Sequence, residues 1–146
     1  MTNTSTEFTS TDGGSPVSVS VRSTDTLFWL SGATAIPLYH HHPHIADECV
    51  LPDDIVEQAR RVLTTIEDVL RFNGLGWGDV VKLSNFLTDP RDYNAVQQAI
   101  TQFFADSGVT PASTSVGING LSGEGARLEI DVVAVRSSAQ GGTEQK

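Results

Sequence analysis

Leu128-Glu129-Ile130-Asp131-Val132-Val133-Ala134-Val135 is the stretch whose reading decides the fold. In an extended chain successive side chains point to opposite faces. Leu128, Ile130, Val132 and Ala134 therefore share one apolar face, which helices must cover. Arg127, Glu129, Asp131, Val133 and Val135 share the other, which is mixed. Just upstream, Ala112 to Gly120 reads as a second strand. It has Thr114, Val116 and Ile118 on one side and Ser113, Ser115, Gly117 and Asn119 on the other. The Gly-rich link Ser122-Gly123-Glu124-Gly125 permits a tight return between the two.

Working outward, the helices are marked by period and caps. Asp54 caps a helix whose apolar stripe is Ile55, Ala59, Val62, Leu63, Ile66, Val69 and Leu70, and Asn73-Gly74 closes it. Glu57–Arg61 and Glu67–Arg71 are favourable i,i+4 pairs on its solvated side. Val80 to Leu87 is a strand carrying Lys82 and Ser84 on a mixed face. Asp89-Pro90 opens a second helix with Tyr93, Val96, Ile100, Phe103 and Phe104 on its stripe. Toward the N-terminus, Val17 to Val21 and Thr26 to Ala35 read as strands joined by a turn at Arg22–Asp25. The order β-β-α-β-α-β-β predicts an α+β domain over 15–136, a sheet with two helices on one face. The polar ends, 1–14 and 137–146, read as disordered tails.

Charge narrows the function classes. The chain has 18 acidic and 9 basic residues and a formal net charge of −9. Nucleic-acid binding needs clustered Lys and Arg, and there is no basic run. Cys49 is the single cysteine, so no internal disulfide forms. No apolar run is long enough to span a bilayer and no signal peptide is visible, so the expectation is a cytoplasmic protein without a membrane partner.

Pro111-Ala112-Ser113-Thr114-Ser115-Val116, followed by the strand quoted first, resembles the C-terminal signature of the RidA/YjgF (L-PSP endoribonuclease-like) family. Leu30-Ser31-Gly32, Asp79-Val80-Val81-Lys82, Phe86-Leu87-Thr88-Asp89, Asp92-Tyr93 with Val96, and Phe103-Phe104 extend the likeness over about residues 15–136. The resemblance implies a chorismate-mutase-like homotrimer with sites in the clefts between subunits and no cofactor. It implies that Glu129 handles the water attacking an imine carbon, and that Ser31 and Gly32 border the cleft. It places Ser113 where the family has a carboxylate-gripping arginine, Ser115 where it has a frequent cysteine, and Gln97 where it has an asparagine. Gly14-Ser15-Pro16-Val17 lacks the family's N-terminal aromatic.

A serine hydroxyl cannot replace a bidentate guanidinium, and losing such a buried contact costs about 2–5 kcal/mol. Either Arg127 or Arg22 takes over, or the substrate differs, or the reaction does. The unusual loop Tyr39-His40-His41-His42-Pro43-His44 follows the Ser31-Gly32 strand. It reads as a solvated loop, as a source of an acid/base residue (His42 or His44), or as a metal site. The last reading is the poorest, because Asp47, Glu48 and Cys49 complete no recognised ligand spacing, and no metal is expected. The expected activity is cofactor-free acid/base chemistry on a small enamine, imine or related unsaturated metabolite. Glu129, His42 and His44 are its candidate catalytic residues, and Ser31, Gly32, Gln97, Ser113, Ser115 and Arg127 would bind substrate. The alternative is a non-catalytic, ligand-binding or chaperone-like trimer. Ribonuclease action, attached to some relatives, fits the acidic chain poorly.

Overall fold

The structure is a computed structural model that describes residues 18–43 and 45–138. The expected N-terminal tail and residues 139–146 of the C-terminal one lie outside the described residues. Four strands and two helices follow one another: β1 (Thr26–Ala33), α1 (Ile55–Phe72), β2 (Val80–Leu87), α2 (Tyr93–Phe104), β3 (Ala112–Gly117) and β4 (Leu128–Arg136). Both helices lie on one side of the sheet. The core between them is built from Val62, Leu63, Ile66 and Leu70 of α1, Val96 and Ile100 of α2, and Leu128, Ile130, Val132 and Ala134 of β4. The α+β architecture expected from the alternation of β4 is therefore present.

Two expectations about the strands need correction. Val17 lies outside the described residues, and of the rest of the expected first strand only Ser18 makes an isolated bridge. The alternation of Val with Ser leaves that segment little apolar surface to bury, and Val21 stays 41% exposed. The sheet order is β1-β4-β2-β3, so β3 and β4 are not a hairpin. β2 lies between them, parallel to β3 and antiparallel to β4. The Gly-rich link carries the chain across the end of β2, turning at Gly125 with φ of 76°. Pairing continues past the strand ends, from Ile118 N to Leu87 O and from Thr88 N to Arg127 O.

Each of the two ladders made by β4 contains one extra residue on its partner. Val80 pairs with Ala134 and Lys82 with Val133, so β2 bulges at Val81. Leu30 pairs with Val132 and Ala33 with Ile130, so β1 bulges at Ser31-Gly32. A bulge re-aims the side chains that follow it. Through these two, Val80 and Ala33 turn toward the helices, while Lys82 faces away from them.

Candidate functional site

The helix-free face of the sheet carries Trp29, Lys82, Ser84, Phe86, Glu129 and Val133, as the strand pairings dictate. Glu129 stands opposite Phe86, and its carboxylate folds over the β1 bulge. A Cβ built on Gly32 would lie 2.0 Å from Glu129 Oε1 and 2.8 Å from Cδ. Only a residue without a side chain leaves this position to the carboxylate. Gly32 does not have the left-handed backbone that requires glycine, so close approach is its reason for being there. The Glu129 side chain is half-buried and makes no hydrogen bond or ion pair with the described residues. A carboxylate in this state can accept a proton from a bound water.

Ser113 and Ser115 lie on the opposite face of the sheet. Leu83 pairs with Ser113 and Asn85 with Ser115, and Leu83 is a core residue. Asn85, which the sequence reading did not single out, is fully buried between them. Its Nδ2 lies 3.2 Å from Ser113 Oγ, 3.2 Å from Ser115 Oγ and 3.3 Å from the Thr114 carbonyl oxygen. Its Oδ1 has no partner among the described residues. A buried acceptor left unpaired costs about 1–3 kcal/mol, so this amide is unusual for a core. The signal was available, since a strict period of two puts Asn85 in line with Leu83 and Leu87. Gln97 of α2 joins Ser113 in lining a cleft of about 350 Å³ between α2 and β3. Within one chain, then, Gln97, Ser113 and Ser115 form one group and Glu129 with Ser31 and Gly32 another, and the sheet separates them.

The cations considered from the sequence are engaged elsewhere. Arg127 Nη2 lies 2.5 Å from Asp92 Oδ2, and its Nη1 donates to the Asp53 carbonyl at 2.7 Å. It joins β4 to the starts of both helices. Arg22 pairs with Asp25 at 3.2 Å. The Arg22 backbone N–H, assisted by Ser138 N–H and the guanidinium, holds the Asp25 carboxyl below its ordinary range. Ser138, placed in the tail by the sequence reading, thus closes onto this turn. Lys82 is the cation on the helix-free face, where its Nζ donates to Thr114 Oγ1.

Of the histidine loop, it is His40 that borders the β1 bulge, on its α1 side, in a cleft whose lining does not include Glu129. His40 lines a cleft of about 540 Å³ with Ser31, Gly32, Thr65, Ile66 and Val69. Its Nδ1 lies 2.7 Å from the Pro37 carbonyl oxygen, so Nδ1 carries the hydrogen of that bond. The His42 ring tilts against His40 with centroids 4.7 Å apart, and His42 is not among the residues lining the cleft. His44 lies outside the described residues. Among the described residues no three His, Cys, Asp or Glu side chains are grouped to hold a metal ion. None of the described helices is long and apolar enough to cross a membrane.

A mixed four-stranded sheet covered by two helices on one face, with a carboxylate over a bulge on the other that has no partner among the described residues, is the frame in which the chain's likeness to known proteins falls. The chain belongs to the Endoribonuclease L-PSP family, the RidA/YjgF proteins, whose profile matches residues 15–136. A goat (Capra hircus) relative named 2-iminobutanoate/2-iminopropanoate deaminase is 33% identical over 87 residues, 60% of this chain and 61% of the relative. The protein of the same name from Escherichia coli K12 is 32% identical over 87 residues, 59% of this chain and 67% of the relative. Among solved structures, E. coli TdcF with bound serine superposes with a TM-score of 0.64 at 25% identity, covering 84% of this chain and 94% of that one.

Proposed function

We propose that this chain is a cofactor-free deaminase of small imines, working in clefts between the subunits of a homotrimer. The observation that carries the reading is the Glu129 carboxylate, seated over Gly32 without a partner among the described residues. Glu129 takes a proton from water as the oxygen adds to the imine carbon. That proton passes to the nitrogen, giving a carbinolamine; Glu129 then takes the carbinol hydroxyl proton and delivers it to the nitrogen as the C–N bond breaks, and ammonia and a carbonyl compound leave. Enamines enter by tautomerising to the imine, for which the same carboxylate carries a proton between carbon and solvent. His40, at the bulge, is the candidate second acid/base group, in the part expected of His42 or His44. Because the sheet separates Glu129 from Ser113, Ser115 and Gln97 within one chain, the two groups act together across a subunit boundary. The helix-free face of one chain would then meet the β3 edge of the next.

The test is release of ammonia from freshly generated 2-aminoacrylate and from its amide, 2-aminoacrylamide. The expected result is acceleration of at least one of them, lost by roughly 100-fold or more in Glu129→Gln. No acceleration of either, or equal rates with Glu129→Gln, overturns the proposal.

A further inference from the structure

We propose that the cleft between α2 and β3 is a subsite for an uncharged carbonyl group, a carboxamide in particular, and that it selects such ligands over carboxylates. Assigning that group to the substrate rests on the deaminase reading above; the binding preference does not. The cleft holds about 350 Å³, enough for a small metabolite, and no charged side chain lines it. Its walls are Leu83, Ile100 and Phe104 with the polar groups of Gln97, Thr101 and Ser113. A carboxylate entering such a place gives up its hydration and meets no cation. Arg127 and Arg22, the cations considered for that role, are held by Asp92 and Asp25.

The hydrogen-bond directions at Ser113 say what the cleft offers instead. A serine hydroxyl has one hydrogen to donate and lone pairs to accept with. The buried Asn85 Nδ2 shares its two hydrogens among Ser113 Oγ, Ser115 Oγ and the Thr114 carbonyl, so the side of Ser113 Oγ behind the cleft wall faces a donor and acts as acceptor. The hydroxyl hydrogen is then left to point forward, as a donor to a ligand's carbonyl oxygen. The Thr114 carbonyl oxygen, which can only accept, fixes which end of the Asn85 amide is the nitrogen. Gln97, half-buried on the opposite wall, has a side-chain amide that makes no hydrogen bond with the described residues. It presents an acceptor and two donors, the complement of a primary carboxamide. Asn85 is thus a positioning residue, and Ser113 and Gln97 touch the ligand.

Pyruvamide and pyruvate make a matched pair of probes, differing only in carboxamide against carboxylate. Titration of the whole protein by calorimetry and by amide NMR should show millimolar or tighter binding of pyruvamide, at least tenfold tighter than pyruvate. The shifted resonances should centre on Gln97, Thr101 and Ser113. Ser113→Ala and Gln97→Ala should each weaken pyruvamide severalfold, and Ser113→Arg should reverse the preference. Pyruvate binding as tightly as pyruvamide, shifts centred elsewhere, no saturable binding in the millimolar range, or unchanged affinity in both alanine variants overturns the inference. Should pyruvamide bind as expected while neither 2-aminoacrylate nor 2-aminoacrylamide is turned over, the subsite stands and the deaminase reading falls.

Discussion

At Glu129 and Gly32 two adjacent strands build one feature together, with β4 supplying a carboxylate and the bulge in β1 making room for it. Glu129→Gln keeps the shape and removes the basic group. Since the carboxylate makes no hydrogen bond or ion pair with the described residues, its loss should leave the urea midpoint unchanged while kcat falls by roughly 100-fold or more. Gly32→Ala tests the same geometry from the other strand. The new methyl group would meet the flexible end of Glu129 and not backbone, so the chain accommodates it by moving the carboxylate. The expected outcome is a fall in kcat with KM little altered and stability changed by under about 1 kcal/mol, read by steady-state kinetics beside urea unfolding. A matching loss of stability would assign Gly32 to the fold alone.

Among the elements, α1 is held to the sheet by a polar residue that its apolar stripe conceals. Gln58 is fully buried, donates to the Pro52 and Gly125 carbonyls at 2.7 and 2.9 Å, and accepts from Arg127 N–H at 2.9 Å. Gln58→Leu leaves three backbone groups unpaired in the interior and should lower unfolding free energy by about 3 kcal/mol in urea titration. Exposed pairs matter less. Arg60 and Arg61 hold the Glu57 carboxyl at about 2, and Arg91 holds Asp89 at about 2, against ordinary values of 4.5 and 3.8. Both are depressed, so their contribution is complete above the ordinary values and is lost as pH falls toward 2. Glu57→Gln should therefore flatten the stability profile only in that acidic window, and added salt should shrink the difference. The helices and β4 were legible because one period runs through each without interruption and caps mark the ends. The bulge at Val81 was not, because nothing in the alternation of Val80 to Leu87 marks an extra residue, which only pairing with β4 reveals. Strand order was not legible either, since a Gly-rich link permits both a hairpin and a passage across β2. That one ambiguity hid the separation of Ser113 from Glu129, although each residue's place along its own strand was clear. Asn85 was overlooked because a polar residue in a mixed strand is ordinarily assigned to the wet face.

For the molecule as a whole, the helix-free face is where the proposed trimer would bury apolar side chains that one chain leaves exposed. Trp29 is 77% exposed there, opposite Val133 on β4, and Leu27 and Val116 on the same face are 41% and 43% exposed. A chain with a net charge of −9 repels its own copies at long range, so self-association must come from a contact that is apolar at its centre. Closed cyclic symmetry buries such a face on every subunit and leaves none over, whereas an open arrangement would continue into fibres. The trimer proposed above would meet this requirement and would bring Glu129 of one chain beside the β3 edge of another. Sedimentation equilibrium should then return three times the 15.6 kDa chain mass. Trp29→Glu places a charge at the centre of the face and should yield monomers with native far-UV circular dichroism. The same variant should lose turnover, because a monomer keeps Glu129 and Ser113 on opposite sides of its sheet. A Trp29→Glu protein that stays trimeric would move the interface away from this face, and a monomer that stays active would show that each chain works alone and would remove the subunit cleft from the mechanism.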